Sequence, residues 1–263
     1  MATMFIFGLG YTARRIAAAL TAAGWDVCST GSAGEVDFAD REAVERALRG
    51  ATHVLSSVPP ADGDDPVLAH YAAALAESPA HWRGYLSSTG VYGDTGGAWV
   101  DEGTPTGGGR RSARAEADQC WLALGAHVFR LPGIYGPGRS ALERVEEGRA
   151  HRIDLPGQVF SRVHVDDIVG GVLAALDAPP GAWNLADDLP GSQNAVIEEA
   201  CRLLGLPAPR LQTLDEAGLS PMARGFYAEN RRVANGKAKR LLGWAPRYAT
   251  YREGLAAILA GRS

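Results

Sequence analysis

Near the start of the chain, Gly8-Leu9-Gly10-Tyr11-Thr12-Ala13 spaces two glycines and an alanine as GxGxxA. An apolar run, Thr3-Met4-Phe5-Ile6-Phe7, precedes it, and Arg14-Arg15-Ile16-Ala17-Ala18-Ala19-Leu20 follows as a helix-forming stretch. Strand, tight turn and helix in that order make a binding site for the diphosphate of a dinucleotide. Gly8 permits the sharp turn. Gly10 carries no side chain, so the backbone can approach a pyrophosphate, and Ala13 is small enough to keep the helix close to the strand. From Tyr11 and Thr12 onward the helix start offers unpaired N–H groups and the positive end of its dipole to the phosphates.

Such a turn needs a sheet behind it, and the first half of the chain supplies one. Strands are expected at Thr3–Phe7, Asp26–Thr30, His53–Val58, Gly84–Ser87 and His127–Leu131. Helices are expected between them at Ala13–Ala23, Arg41–Arg49, Val67–Glu77 and Arg111–Leu124. That alternation predicts an α/β fold with a doubly wound parallel sheet. Ligands of such sheets sit beyond the C-terminal strand ends. Ser57-Val58-Pro59 and Ser87-Ser88-Thr89-Gly90 are therefore expected to face one. Gly93 to Gly109 holds seven glycines in seventeen residues, which predicts a functional or mobile loop. Later elements read as a helix at Val165–Leu176, a brief strand at Trp183–Leu185, and helices at Asn194–Leu204 and Gly236–Leu242.

Composition narrows the possible partners. The 263 residues are 46% hydrophobic, enough for a substantial core, and carry a net charge of −4 with no long basic run. Neither a nucleic-acid nor a membrane partner is expected. Three widely spaced cysteines (Cys28, Cys120, Cys201) suggest no disulfide framework and no metal site, and fit a reducing cytoplasm. No stretch approaches the length of a membrane span, and the N-terminus lacks the pattern of a signal peptide.

Four further segments carry a resemblance. They are Ser87-Ser88-Thr89-Gly90-Val91-Tyr92-Gly93, Arg130-Leu131-Pro132-Gly133-Ile134-Tyr135-Gly136-Pro137-Gly138-Arg139, Val163-His164-Val165-Asp166-Asp167-Ile168 and Lys237-Ala238-Lys239-Arg240-Leu241-Leu242-Gly243-Trp244-Ala245-Pro246. With the glycine turn they resemble the extended short-chain dehydrogenase/reductases, also called the NAD-dependent epimerase/dehydratase family. The resemblance runs to about Ile258. It implies a Rossmann domain formed by residues 1–135, with about 160–186 added, and a smaller substrate lobe from 136–159 and 187–263. It also implies a catalytic Ser88 and cofactor contacts from Leu131, Gly133 and Ile134. Asp37-Phe38 resembles the family's adenine-side pair, though Asp37 could equally belong to a helix cap running into Asp40.

The family's tyrosine–lysine pair, spaced YxxxK, maps onto Arg110 and Arg114. Arginine stays protonated and donates hydrogen bonds, but it is a poor proton shuttle. Arg114 could hold the nicotinamide ribose or a phosphate and Arg110 an anionic substrate; both could equally belong to a solvated helix face. A replacement acid/base is then sought at Tyr92, with Tyr135, Asp101, Glu102 and His164 as alternatives. In the family, Asp166-Asp167 would cap the helix that follows.

An NAD-preferring turn places a carboxylate at the end of the second strand. Here that stretch is Ser29-Thr30-Gly31-Ser32, where Ser32 and a nearby Arg14 or Arg15 would suit a 2′-phosphate. The expectation leans to NADP over NAD. Gly133 replaces the family's asparagine, and Phe160 stands where the sugar-nucleotide arginine would be, with Arg162 out of register. The reading is an oxidoreductase or epimerase/dehydratase-like enzyme on a small-molecule substrate other than a nucleotide-sugar. A non-catalytic dinucleotide sensor is the alternative, and a redox-neutral isomerase or lyase a third. A homodimer would fit the resemblance.

Overall fold

The computed structural model describes residues 2–109 and 112–262. The central sheet is built from β1 (Thr3–Phe7), β2 (Asp26–Ser29), β3 (His53–Ser56), β4 (Trp82–Ser88), β5 (His127–Leu131) and β6 (Gly181–Asn184). These six lie in the order β6-β5-β4-β3-β1-β2, and every neighbouring pair is parallel. The fold is the α/β doubly wound class that the alternation predicts. Sequence order reverses direction at β1, which has β2 on one side and β3 on the other. A crevice therefore opens beyond the C-terminal end of β1, where Gly8 begins its turn.

Side chains alternate along β1, and both faces are buried. Met4 and Ile6 enter one core with Ile16, Leu20, Trp82, Phe129 and Trp183. Phe5 and Phe7 enter the other with Leu48, Tyr71, Tyr85, Trp121 and Val128. A strand apolar on both faces is what a covered parallel sheet requires. Helices α1 (Tyr11–Ala22) and α6 (Val165–Ala174) supply the first core. Helices α2 (Arg41–Gly50), α3 (Pro66–Glu77) and α4 (Ser112–Ala123) supply the second. The remaining helices are α5 (Ala141–Glu146), α7 (Gln193–Leu204), α8 (Pro221–Phe226), α9 (Gly236–Leu241) and α10 (Tyr251–Ala260).

Local chemistry starts these helices where the sequence allows it. Asp40 accepts from the Ala43 N–H at α2, and Asp65 accepts from Val67 and Leu68 at α3, ahead of Pro66 in the first turn. Ser140 and Glu143 form a reciprocal capping box at α5. The sequence signals for α5, α8 and α10 are short and were not anticipated. Leu142, Val196, Ile197, Tyr251, Leu255 and Ile258, from α5, α7 and α10, close a third core over Tyr135.

Helix α6 corrects one expectation. Its cap is the His164 ring, whose Nδ1 accepts from the Asp166 N–H, rather than Asp166 or Asp167. Asp167 turns inward and accepts from the backbone N–H groups of Arg247 and Tyr248, at 2.5 and 3.3 Å.

The glycine-rich loop is fastened rather than loose. Trp99–Val100 pairs in parallel with Arg232–Val233. Thr95 and Gly97 N–H both donate to the Asn230 carbonyl, and Asp94 accepts from the Asn230 N–H at 2.8 Å. The guanidinium of Arg231 donates to the Gly93 carbonyl, and that of Arg232 to Gly97. Glycine is required at Gly93, where φ is +69° and a Cβ would sit 2.7 Å from Gly108 backbone atoms.

Under this loop lies a buried ionic network. Asp118, on α4, is fully enclosed and receives Arg130 at 2.7 Å and the Ser87 hydroxyl at 2.6 Å. Arg130 also donates to the Tyr92 hydroxyl at 3.0 Å, which donates to Asn184 at 2.8 Å. Burial alone would pull Arg130 down, but its hydrogen bonds to Asp118 and the neighbouring charge raise it overall. Removing one partner leaves a buried charge uncompensated. Asp118→Ala is expected to cost about 3–5 kcal/mol in urea unfolding. A loss below about 1 kcal/mol would show that the pair is dispensable to the fold.

Candidate active site

Two hydrogen bonds set the glycine turn against its neighbours. The Gly8 N–H donates to Thr30 Oγ1 at 3.0 Å, and the Leu9 N–H to the Thr30 carbonyl at 2.9 Å. On the other side, the Ser57 hydroxyl donates to the Gly8 carbonyl. Gly8 has a φ of +82°, and an added Cβ would lie 2.9 Å from Val58 Cγ2. Gly10 differs. Its φ is −83°, and a Cβ there would meet nothing within 4 Å. So Gly10 faces open space at the N-terminus of α1, with no side-chain cap on the helix amides. A diphosphate fits such a cradle.

From this cradle a cavity of about 970 Å³ runs across the strand ends toward α5, α7, α8 and α10. Gly10, Tyr11, Thr12, Ser57, Ser88, Arg114, Leu131, Gly133 and Ile134 line it. It therefore gathers nine of the residues that the sequence nominates. Gly8 and Ala13 lie behind the wall as structural supports, with Ala13 fully buried. Ser32, Asp37, Phe38, Val58 and Pro59 are not on the cavity wall. Asp37 accepts from the Ala39 N–H, and Asp40 is the cap of α2. Phe38 packs its ring on Phe7 and Tyr71, 6.2 and 5.3 Å between centroids.

Ser88 projects from the end of β4, half-buried, and its oxygen accepts from the Gly90 N–H at 3.1 Å. Its own proton remains available to a ligand in the cavity. Arg114 lines the same space and lies within electrostatic reach of the Tyr85 hydroxyl. Arg110 falls outside the described residues. Tyr92 is 4% exposed, is committed to Arg130 and Asn184, and does not line the cavity. Burial raises its hydroxyl above the ordinary tyrosine range, against the opposing pull of Arg130. It is a strut of the site, and the proton-transfer role expected for it has no geometric support.

The other acid/base candidates are also engaged. Glu102 accepts from the Asn184 N–H, and Asp101 closes its own turn with Gly103 and Thr104. His164 is buried between the Tyr135 and Tyr248 rings. Tyr135 lines the cavity, but its hydroxyl is turned against Gly254, and burial raises it beyond the usual range. Asp187, missed from sequence, is lifted by burial to about 7 despite the nearby positive charge of Arg162.

Three charged residues depart from expectation. No carboxylate occupies Ser29–Ser32 in sequence, yet the loop doubles back and brings Glu35 to the end of β2. Glu35 accepts from the Ser29 N–H at 3.0 Å and from its hydroxyl at 3.1 Å. The arginines meant to balance a 2′-phosphate are used elsewhere. Arg14 donates to the Leu9 carbonyl, and Arg15 lies over the Tyr11 ring, 3.8 Å from Asp166.

Among the described residues, no His/Cys/Asp/Glu group could hold a metal, and no helix is long and apolar enough to cross a membrane. The cysteines are free.

Comparison with known proteins places these features. No family model matches the chain. A conserved Silicibacter pomeroyi protein of unknown function is 42% identical over 99% of both chains, with a TM-score of 0.89. Protein YeeZ of Escherichia coli is 27% identical, covering 89% of this chain and 94% of its own. A Streptomyces 3-diazoavenalumate denitrifying reductase is 33% identical over 144 residues, half of this chain and 46% of that protein's length. Two more distant structures share the fold across nearly the whole chain. They are a Thermotoga maritima UDP-glucose 4-epimerase solved with UDP-glucose (18% identity, TM-score 0.77) and a human epimerase-family protein solved with NADPH (15%, 0.78).

The open face of Gly10 yields a test. Gly10→Val should leave the melting temperature nearly unchanged while abolishing dinucleotide binding in calorimetry. Gly8→Ala should instead lower the melting temperature, because its positive φ and the Val58 contact resist a Cβ.

Proposed function

For a chain that belongs with the Silicibacter pomeroyi protein and has the fold of the extended short-chain dehydrogenase/reductases, we propose a nicotinamide-dinucleotide-dependent oxidoreductase acting on a small carbonyl compound. The observation that carries this reading is one continuous cavity joining the Gly10 cradle to Ser88 and Arg114. A sensor would need the cradle but not a polar hydroxyl and a fixed cation further along the same space. The name of the Streptomyces relative, a reductase, supports the same class of chemistry.

A nucleotide-sugar substrate is disfavoured by Arg162. That guanidinium is buried and donates to the carbonyls of Phe160, Gly191 and Ser192 and to Gln193. It is a structural clamp with little left for a diphosphate.

When bound, the nicotinamide supplies or takes up a hydride. Helix α1 and Gly10 would hold its diphosphate, and Leu131 and Ile134, on the same cavity wall, would contact the rest of it. Ser88 donates a hydrogen bond to the substrate oxygen. Arg114, permanently charged, stabilises negative charge developing there without itself exchanging a proton. Hydride addition to carbon is balanced by a proton reaching oxygen through Ser88 from water.

Glu35 bears on the choice of dinucleotide. Its negative charge at the end of β2 opposes a 2′-phosphate and favours NAD, against the hydroxyls of Ser29–Ser32 that would suit NADP.

Two outcomes are expected. Ser88→Ala should lower kcat by about 10²- to 10³-fold in an assay of reduced-nicotinamide absorbance. Dinucleotide affinity should be unchanged; a matching loss of affinity would make Ser88 a binding residue only. In competitive titration, NAD should bind at least as tightly as NADP, and Glu35→Gln should shift the ratio toward NADP.

A further inference from the structure

The wall of the cavity has a charge opposite to that of the chain. The whole protein carries −4, yet six arginines and three glutamates line this one space. The glutamates are already balanced. Glu143 pairs with Arg262, Glu147 with Arg149, and Glu229 with Arg231. Arg162 is the internal clamp described above. Of the arginines that remain, Arg139 lies near the cradle, its guanidinium 5.6 Å from the Tyr11 ring centroid. Arg144 is different. It sits in the last turn of α5, and its side chain makes no hydrogen bond or ion pair with another described residue. It lies within electrostatic reach of the Tyr227 hydroxyl.

Aromatic and aliphatic side chains line the same cavity as Arg144. Phe160 and Tyr227 both line the cavity and meet edge to face, 5.5 Å between centroids at 90°. Val159, Val196, Ile197 and Leu219 also line the cavity. Such a slot favours a planar apolar body, and a guanidinium beside it favours a carboxylate.

We propose that the lobe end of the cavity binds a small aromatic carboxylate, its acid group on Arg144 and its ring against Phe160 and Tyr227. This deepens the redox reading, because it specifies the class of carbonyl compound that would reach Ser88. Arg144 fixes one end of the ligand in the same cavity that Ser88 lines.

The test titrates the intact protein with para-formylbenzoate and with uncharged para-formylbenzamide, each in calorimetry with saturating NAD, which cannot reduce the aldehyde. The acid should bind at least about tenfold more tightly than the amide. Arg144→Met should erase that preference, and Arg144→Lys should keep part of it. NAD affinity, measured separately, should be the same in all three proteins. Equal binding of acid and amide, binding of neither at millimolar concentration, or a preference that survives Arg144→Met would overturn the proposal. If the acid is preferred through Arg144 but no dinucleotide binds, the carboxylate site stands and the redox reading falls.

Discussion

One enclosed carboxylate holds the working parts of this molecule in register. Asp118 sits on α4, takes the Ser87 hydroxyl from the end of β4, and neutralises Arg130 from β5. Through Arg130 it reaches Tyr92, and through Tyr92 it reaches Asn184 on β6. Three strand ends and a helix are thus tied by groups that cannot be satisfied any other way, since water does not reach them. Ser88 is the residue next to Ser87, so the position of the proposed active hydroxyl follows from this tie. A buried ion pair is costly to assemble and adds little net stability. What it supplies here is a fixed geometry at the point where the sheet meets the cavity.

The same logic explains the parting of roles among polar residues. Side chains on the sheet side of the cavity wall, such as Tyr92 and Glu102, are consumed by internal hydrogen bonds. Side chains on its inner surface, such as Ser88 and Arg114, face the open space.

Much of this was legible in the residue order. The strand–turn–helix at Gly8–Ala13, the alternation along the first half, and the serine at the end of β4 are local patterns, and local patterns survive into the fold. What could not be read was long-range. Asp118 and Arg130 look like surface charges until two elements bring them together. Glu35 reaches the end of β2 only because the chain reverses at Gly31 and Gly34, where an added Cβ would strike neighbouring backbone. His164 displaced the expected aspartate caps because an imidazole nitrogen can accept from an amide as well as a carboxylate oxygen can. The fastening of the glycine-rich loop, expected to be functional or mobile, could not be read because its anchor, Asn230 to Val233, lies more than a hundred residues downstream.

That anchor has a consequence for how the protein is made. On a ribosome, residues 93–100 emerge long before their pairing partners at 230–233, so this loop stays untied while the central sheet assembles. The tying segment also supplies Glu229, Arg231 and Val233 to the cavity wall. Nascent chains stalled before residue 229 would hold a formed sheet beside an unfinished chamber.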